Sequence, residues 1–79
     1  MANKPTRTER ELQALIMQQV RNRPECRNIQ GVAITRTTQL APRFPNWDCA
    51  FSLNGSGVVP PSAPEIAQIL RNEFDLAAA

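Results

Sequence analysis

The chain has 79 residues, 42% of them hydrophobic and 20% charged, with two cysteines, no histidine and a formal net charge of +2. That composition describes one small folded domain spanning 1–79 rather than a disordered segment. The missing histidine removes the commonest general base, the commonest metal ligand and every His-activated nucleophile, and the small positive charge falls short of the clustered cations that phosphate backbones require.

Residues 1–7 are polar and read as a flexible end, as do Ala77–Ala79 at the other terminus. No apolar core or cleavage site marks a targeting segment, and no apolar run approaches membrane length. The expected location is the cytoplasm, with no membrane contact and with Cys26 and Cys49 reduced.

Thr8 stands three residues before Glu11, the spacing of a capping box. Leu12, Leu15, Ile16 and Val20 then recur at helical spacing, and Pro24 forbids continuation. The pattern predicts a helix over Glu9–Asn22. A strand is predicted over Gln30–Gln39, where Val32 and Ile34 alternate with Ala33 and Thr35. Ile29 is out of phase with that alternation, so Gly31 marks a bulge. Pro42 and Pro45 lack ladder donors, which makes the next segment a loop.

Trp47, Cys49, Phe51 and Leu53 fall on one face of a second strand, and Asp48, Ala50 and Ser52 on the other. The tetrapeptide Asn54-Gly55-Ser56-Gly57 ends it as a turn; it lacks the lysine and following hydroxyl of a phosphate loop. Ser62 precedes Glu65 at the spacing of a second capping box, with Pro64 in the first turn. Ile66, Ile69, Leu70 and Phe74 supply the buried stripe of a second helix over Ala63–Phe74.

The order is therefore α-β-β-α. The expected fold is α+β, an antiparallel β-hairpin with two helices packed on one face, because only one face of the sheet reads as buried. Trp47 is expected to be partly buried over the helices, its indole N–H near water or a backbone carbonyl.

The chemistry-bearing residues point to no catalytic, cofactor-binding or metal site. Cys26 and Cys49 lack the close spacing of a zinc motif. Cys49 reads as a core thiol; Cys26 follows a helix end between Glu25 and Arg27, where partial exposure and modest reactivity are expected without a base to activate it. Glu11 and Glu65 are assigned to capping and Glu9 to its helix start, and Asp48 is expected to be solvated. Arg27, Arg36 and Arg43 would lie beside the open sheet face. That face carries Ala33, Thr35, Ala50 and Ser52 in place of the stacking aromatics of an RNA-binding sheet.

The runs Glu11–Cys26 and Ile29–Ile34, the pair Asn46-Trp47 and the run Glu65–Ala77 resemble a group of short bacterial proteins of unknown function. The most specific pieces are Pro24–Cys26, Asn46-Trp47 and Glu73–Leu76. The resemblance spans nearly the whole chain and implies an intact small bacterial domain; it brings no activity, cofactor or site residue.

The functional expectation is a non-catalytic binding or assembly module acting through protein–protein contacts. The alternatives are a nucleic-acid-binding domain and a small thiol-dependent enzyme. A two-stranded sheet leaves both edges unpaired, and 79 residues provide a thin core. The second strand carries only Asp48 as a charge, so a homodimer paired through that edge is expected.

Overall fold

The computed structural model describes residues 4–41, 44–55 and 57–77. Its elements are β1 (Thr6–Arg7), α1 (Glu9–Arg21), β2 (Ile29–Arg36), β3 (Trp47–Leu53), α2 (Ser62–Glu73) and β4 (Asp75–Leu76), with a short 3₁₀ turn at Pro24–Cys26. The α+β architecture expected from the pattern is present: β2 and β3 form an antiparallel hairpin, and both helices pack on its apolar face.

The Thr8 capping box forms as expected. The Glu11 N–H donates to Thr8 Oγ1 at 3.1 Å, and the Thr8 N–H donates to Glu11 Oε1 at 2.9 Å. The Thr8 backbone N–H, and then the Thr8 side chain, hold the Glu11 carboxyl below its ordinary range. Thr8→Ala is expected to cost about 1 kcal/mol in urea unfolding, and to move the Glu11 titration upward in a carboxylate NMR pH series. The lowered carboxyl stabilises the fold above the unfolded Glu pKa, and that contribution disappears as pH falls through the folded value.

Leu12, Ile16 and Val20 of α1 are fully buried and Leu15 half-buried. The second helix departs from its expected stripe. Ile69 is 57% exposed, while Ala63 and Ala67 are buried beside Ile66 and Leu70. Two small residues on the inner face let α2 lie close to its neighbours, and the helix turns so that Ile69 faces outward.

Its start differs as well. Pro61, with φ −59° and ψ −26°, already has helical geometry, so Ser62 enters the helix and makes no capping bond. The Glu65 N–H goes to Pro61 O instead. The ring of Pro61 pre-sets φ one residue before the expected cap.

In the hairpin, Val32 opposes Phe51, Ile34 opposes Cys49 and Arg36 opposes Trp47, with the bulge between Ile29 and Gly31. β2 ends at Arg36, three residues before the expected end at Gln39. Thr37 still donates to Asn46 O at 2.9 Å, one step past the last paired residues. Gly55 and Gly57 have φ of +93° and +138°, the turn conformation predicted for the end of the second strand.

The chain ends meet in a parallel pair that the sequence pattern does not announce. Thr6 lies beside Asp75 and Arg7 beside Leu76. Asp75 N–H donates to Pro5 O at 3.0 Å, and Ala77 N–H to Arg7 O at 2.8 Å. Lys4 Nζ stands 3.1 Å from Asp75 Oδ1, with both side chains largely buried, and also donates to Arg71 O. The Arg7 guanidinium covers the Phe74 ring at 4.8 Å. Residues 1–3 and 78–79, also expected to be flexible, lie outside the described residues.

Candidate functional site

The residues that single themselves out in the sequence turn out to hold elements together. Asn46 and Trp47 bind the segment after α2. The Asn46 side chain donates to Leu76 O at 3.0 Å and accepts from Leu76 N–H at 2.7 Å, a peptide-like pair made by a side chain. Trp47 is fully buried, deeper than its pattern predicts, and its indole N–H donates to Phe74 O at 2.9 Å. Of the two partners expected for it, water or a backbone carbonyl, the structure supplies the carbonyl.

Cys26 is a second clamp, and here the expected exposure is corrected. The thiol is 2% exposed and lies 3.4 Å from Ser62 Oγ. The 3₁₀ turn after Pro24 folds it inward onto the start of α2. The Glu25 carboxyl sits below its ordinary range because its own backbone N–H, and then the Ser62 hydroxyl, favour the charged form. Either the thiol or the hydroxyl can be the donor in the Cys26–Ser62 contact. Cys26 is thus a buried link between the turn and α2.

Cys49 lies elsewhere, at the outer edge of β3. It lines a pocket of about 180 Å³ with Phe51, Val59, Ala67, Gln68 and Arg71. Burial, and then the Asp48 carboxylate, push its thiol above the ordinary range, and the Arg71 guanidinium pulls partly back. The thiol therefore stays protonated at neutral pH and is a weak nucleophile. Alkylation by iodoacetamide at pH 7.5 is expected to be slower at Cys49 than in a free cysteine, and Asp48→Asn is expected to speed it. The sign for stability follows: the neutral thiol favours the fold below the unfolded value near 9.0, and that contribution is lost as pH rises through the higher folded value.

The backbone beside this pocket can be accounted for residue by residue. Because Thr37 N–H bonds Asn46 O in register, Asp48, Ala50 and Ser52 direct their backbone groups toward β2. Trp47, Cys49, Phe51 and Leu53 direct theirs outward. Two of these outward groups are met by side chains: Arg71 Nε donates to Trp47 O at 2.8 Å, and Asp48 Oδ1 accepts from Cys49 N–H at 2.8 Å. On the opposite edge, Gln13 Nε2 donates to Val32 O at 3.2 Å. Asp48 is solvated as expected, yet it also caps the strand.

The outward N–H and C=O groups of Phe51 and Leu53 have no partner among the described residues. The sequence missed this division of the edge. Its only signal was Asp48, a residue whose short carboxylate reaches a neighbouring amide.

Of the arginines considered for nucleic acid, Arg27 is exposed, Arg36 donates to Ala77 O, and Arg43 lies outside the described residues. Among the described residues no group of three or more Cys, Asp or Glu side chains is placed to hold a metal ion, and no helix is long and apolar enough to cross a membrane. No protein-family model, no curated protein and no solved structure matches the chain.

Proposed function

We propose that this protein is a small non-catalytic binding module whose contact surface is the outer edge of β3, completed by a strand from another polypeptide. The observation that carries this reading is the open half of that edge. Phe51 and Leu53 present backbone donors and acceptors with no partner among the described residues, beside a partly apolar pocket. Backbone groups of this kind are satisfied by an extended chain, which gains main-chain hydrogen bonds and side-chain contacts together. The thiols support a non-catalytic role: one is buried against Ser62, and the other is held protonated. The partner expected from the sequence is a second copy of the chain, and the resemblance to short bacterial proteins is compatible with such a module.

The test is a photo-crosslinker placed at Gln68, an exposed residue on the pocket rim, and a control at Ala14, exposed on α1. In an extract of the source cells, adducts to polypeptide are expected from position 68 and not from 14. Equal labelling from both positions, or labelling of RNA, overturns the reading.

A backbone probe must respect the register. Ala50 directs its N–H toward β2, so Ala50→Pro breaks the hairpin itself and leaves the edge question unanswered. Phe51→Pro removes an outward donor instead.

A further inference from the structure

The width of the layers says which kind of strand this edge accepts. Adjacent strands lie about 4.8 Å apart, so a two-stranded sheet spans roughly 10 Å. A helix with its side chains is about 10 Å across, so two helices side by side need roughly 20 Å. Here α1 and α2 pack against each other and against the same face of β2 and β3. Each must therefore overhang an edge. The side-chain bonds show this directly, since Gln13 of α1 reaches an outward carbonyl of β2 and Arg71 of α2 an outward carbonyl of β3. The pocket beside Cys49 and Phe51 is the space beneath the overhang of α2.

Pairing β3 with its own copy about a two-fold axis would add two strands and two more helices. The overhanging α2 and its copy would then meet above the same pair of strands. A lone extended segment adds a strand and brings no second helix to meet α2. We infer that the groove between β3 and α2 binds a single extended peptide segment of another protein, with apolar side chains at alternate positions. This deepens the reading of the β3 edge as the contact surface and rests on it.

The register specifies the recognition. A segment residue opposite Phe51 exchanges both backbone hydrogen bonds with it, and its side chain points to the α2 side, as that of Phe51 does. There it meets Phe51, Val59, Pro64 and Ala67. Its sequence neighbours point to the open face beside Ala50 and Ser52, where polar side chains are suited. The groove closes toward Trp47, where Arg71 and Asp48 already occupy the outward carbonyl and amide.

The probe is the end-capped peptide acetyl-Lys-Val-Thr-Val-Thr-Val-Lys-amide, titrated into the full chain to millimolar concentration with amide NMR as readout. Saturable shifts are expected at Cys49, Phe51, Leu53 and Gln68. At ten times the Kd, the exchange of the Phe51 and Leu53 amides is expected to slow about tenfold. The same peptide with its central residue N-methylated should bind at least tenfold more weakly. Gln68→Trp, at an exposed position, should fill the groove and abolish the shifts while the rest of the spectrum stays folded. Absence of saturable shifts, or shifts confined to β2, overturns the proposal.

Sedimentation equilibrium separates the two levels. A mass staying at 8.8 kDa at micromolar concentration is the expected result. A dimer whose Phe51 and Leu53 amides are protected keeps β3 as the contact surface but overturns the single-peptide occupant. A dimer with those amides unprotected, together with no peptide binding, overturns both.

Discussion

Trp47→Ala is expected to be the most damaging single substitution, lowering stability by about 3–5 kcal/mol. Trp47 is the largest of the fully buried side chains, at the start of β3, packed with Leu12, Ile16, Ile34 and Leu70 in one cluster. Truncation would open a cavity in a core that has few other large residues with which to refill it. It would also leave Phe74 O without the indole donor 2.9 Å away. Urea unfolding followed by circular dichroism measures the loss, since the variant lacks the fluorophore. Trp47→Phe divides the two effects. It retains most of the volume and loses the hydrogen bond, so a cost of about 1–3 kcal/mol is expected. A loss below 1 kcal/mol for the alanine variant would mean that the cluster does not depend on this ring. In the wild type, emission should be blue-shifted relative to the denatured chain.

Asn46→Ala is expected to cost about 2–3 kcal/mol, because it leaves both the N–H and the C=O of Leu76 without partners at a part-buried site. The damage should be local. β4 is held to the hairpin by this side chain and to β1 by the parallel pair, so its loss loosens the chain ends before the hairpin. Amide exchange at Leu76 and Ala77 should rise well before exchange at Val32 or Ile34 does. Asn46→Asp separates geometry from chemistry, because a carboxylate accepts from the Leu76 N–H yet cannot donate to its C=O. It should recover part of the stability. A uniform rise in exchange across the hairpin would contradict the local role.

These two residues also show why only part of the structure was legible in advance. The alternation of Trp47, Cys49, Phe51 and Leu53 announces a strand with one buried face, because a residue's face depends only on its own position in a pleat. The Thr8–Glu11 box and the helical stripe of α1 are equally local, since both partners lie within one turn. The bulge at Gly31 follows from a break in phase between Ile29 and Val32, two features a few residues apart. Each of these was determined by the sequence alone.

What the tertiary structure decided involves partners far apart in the chain. Asn46 meets Leu76, Trp47 meets Phe74, Cys26 meets Ser62, and Thr6 lies beside Asp75. No periodicity encodes such pairs, because a side chain that will bond a distant backbone looks like any other polar or apolar residue in its own segment. Ile69 fits the expected stripe by spacing, yet the close packing of Ala63 and Ala67 turns it outward. The edge of β3 follows the same rule. Sequence places a strand there with few charges, whereas Arg71, 24 positions away from Trp47, and the width of two helices over two strands decide which of its backbone groups remain open.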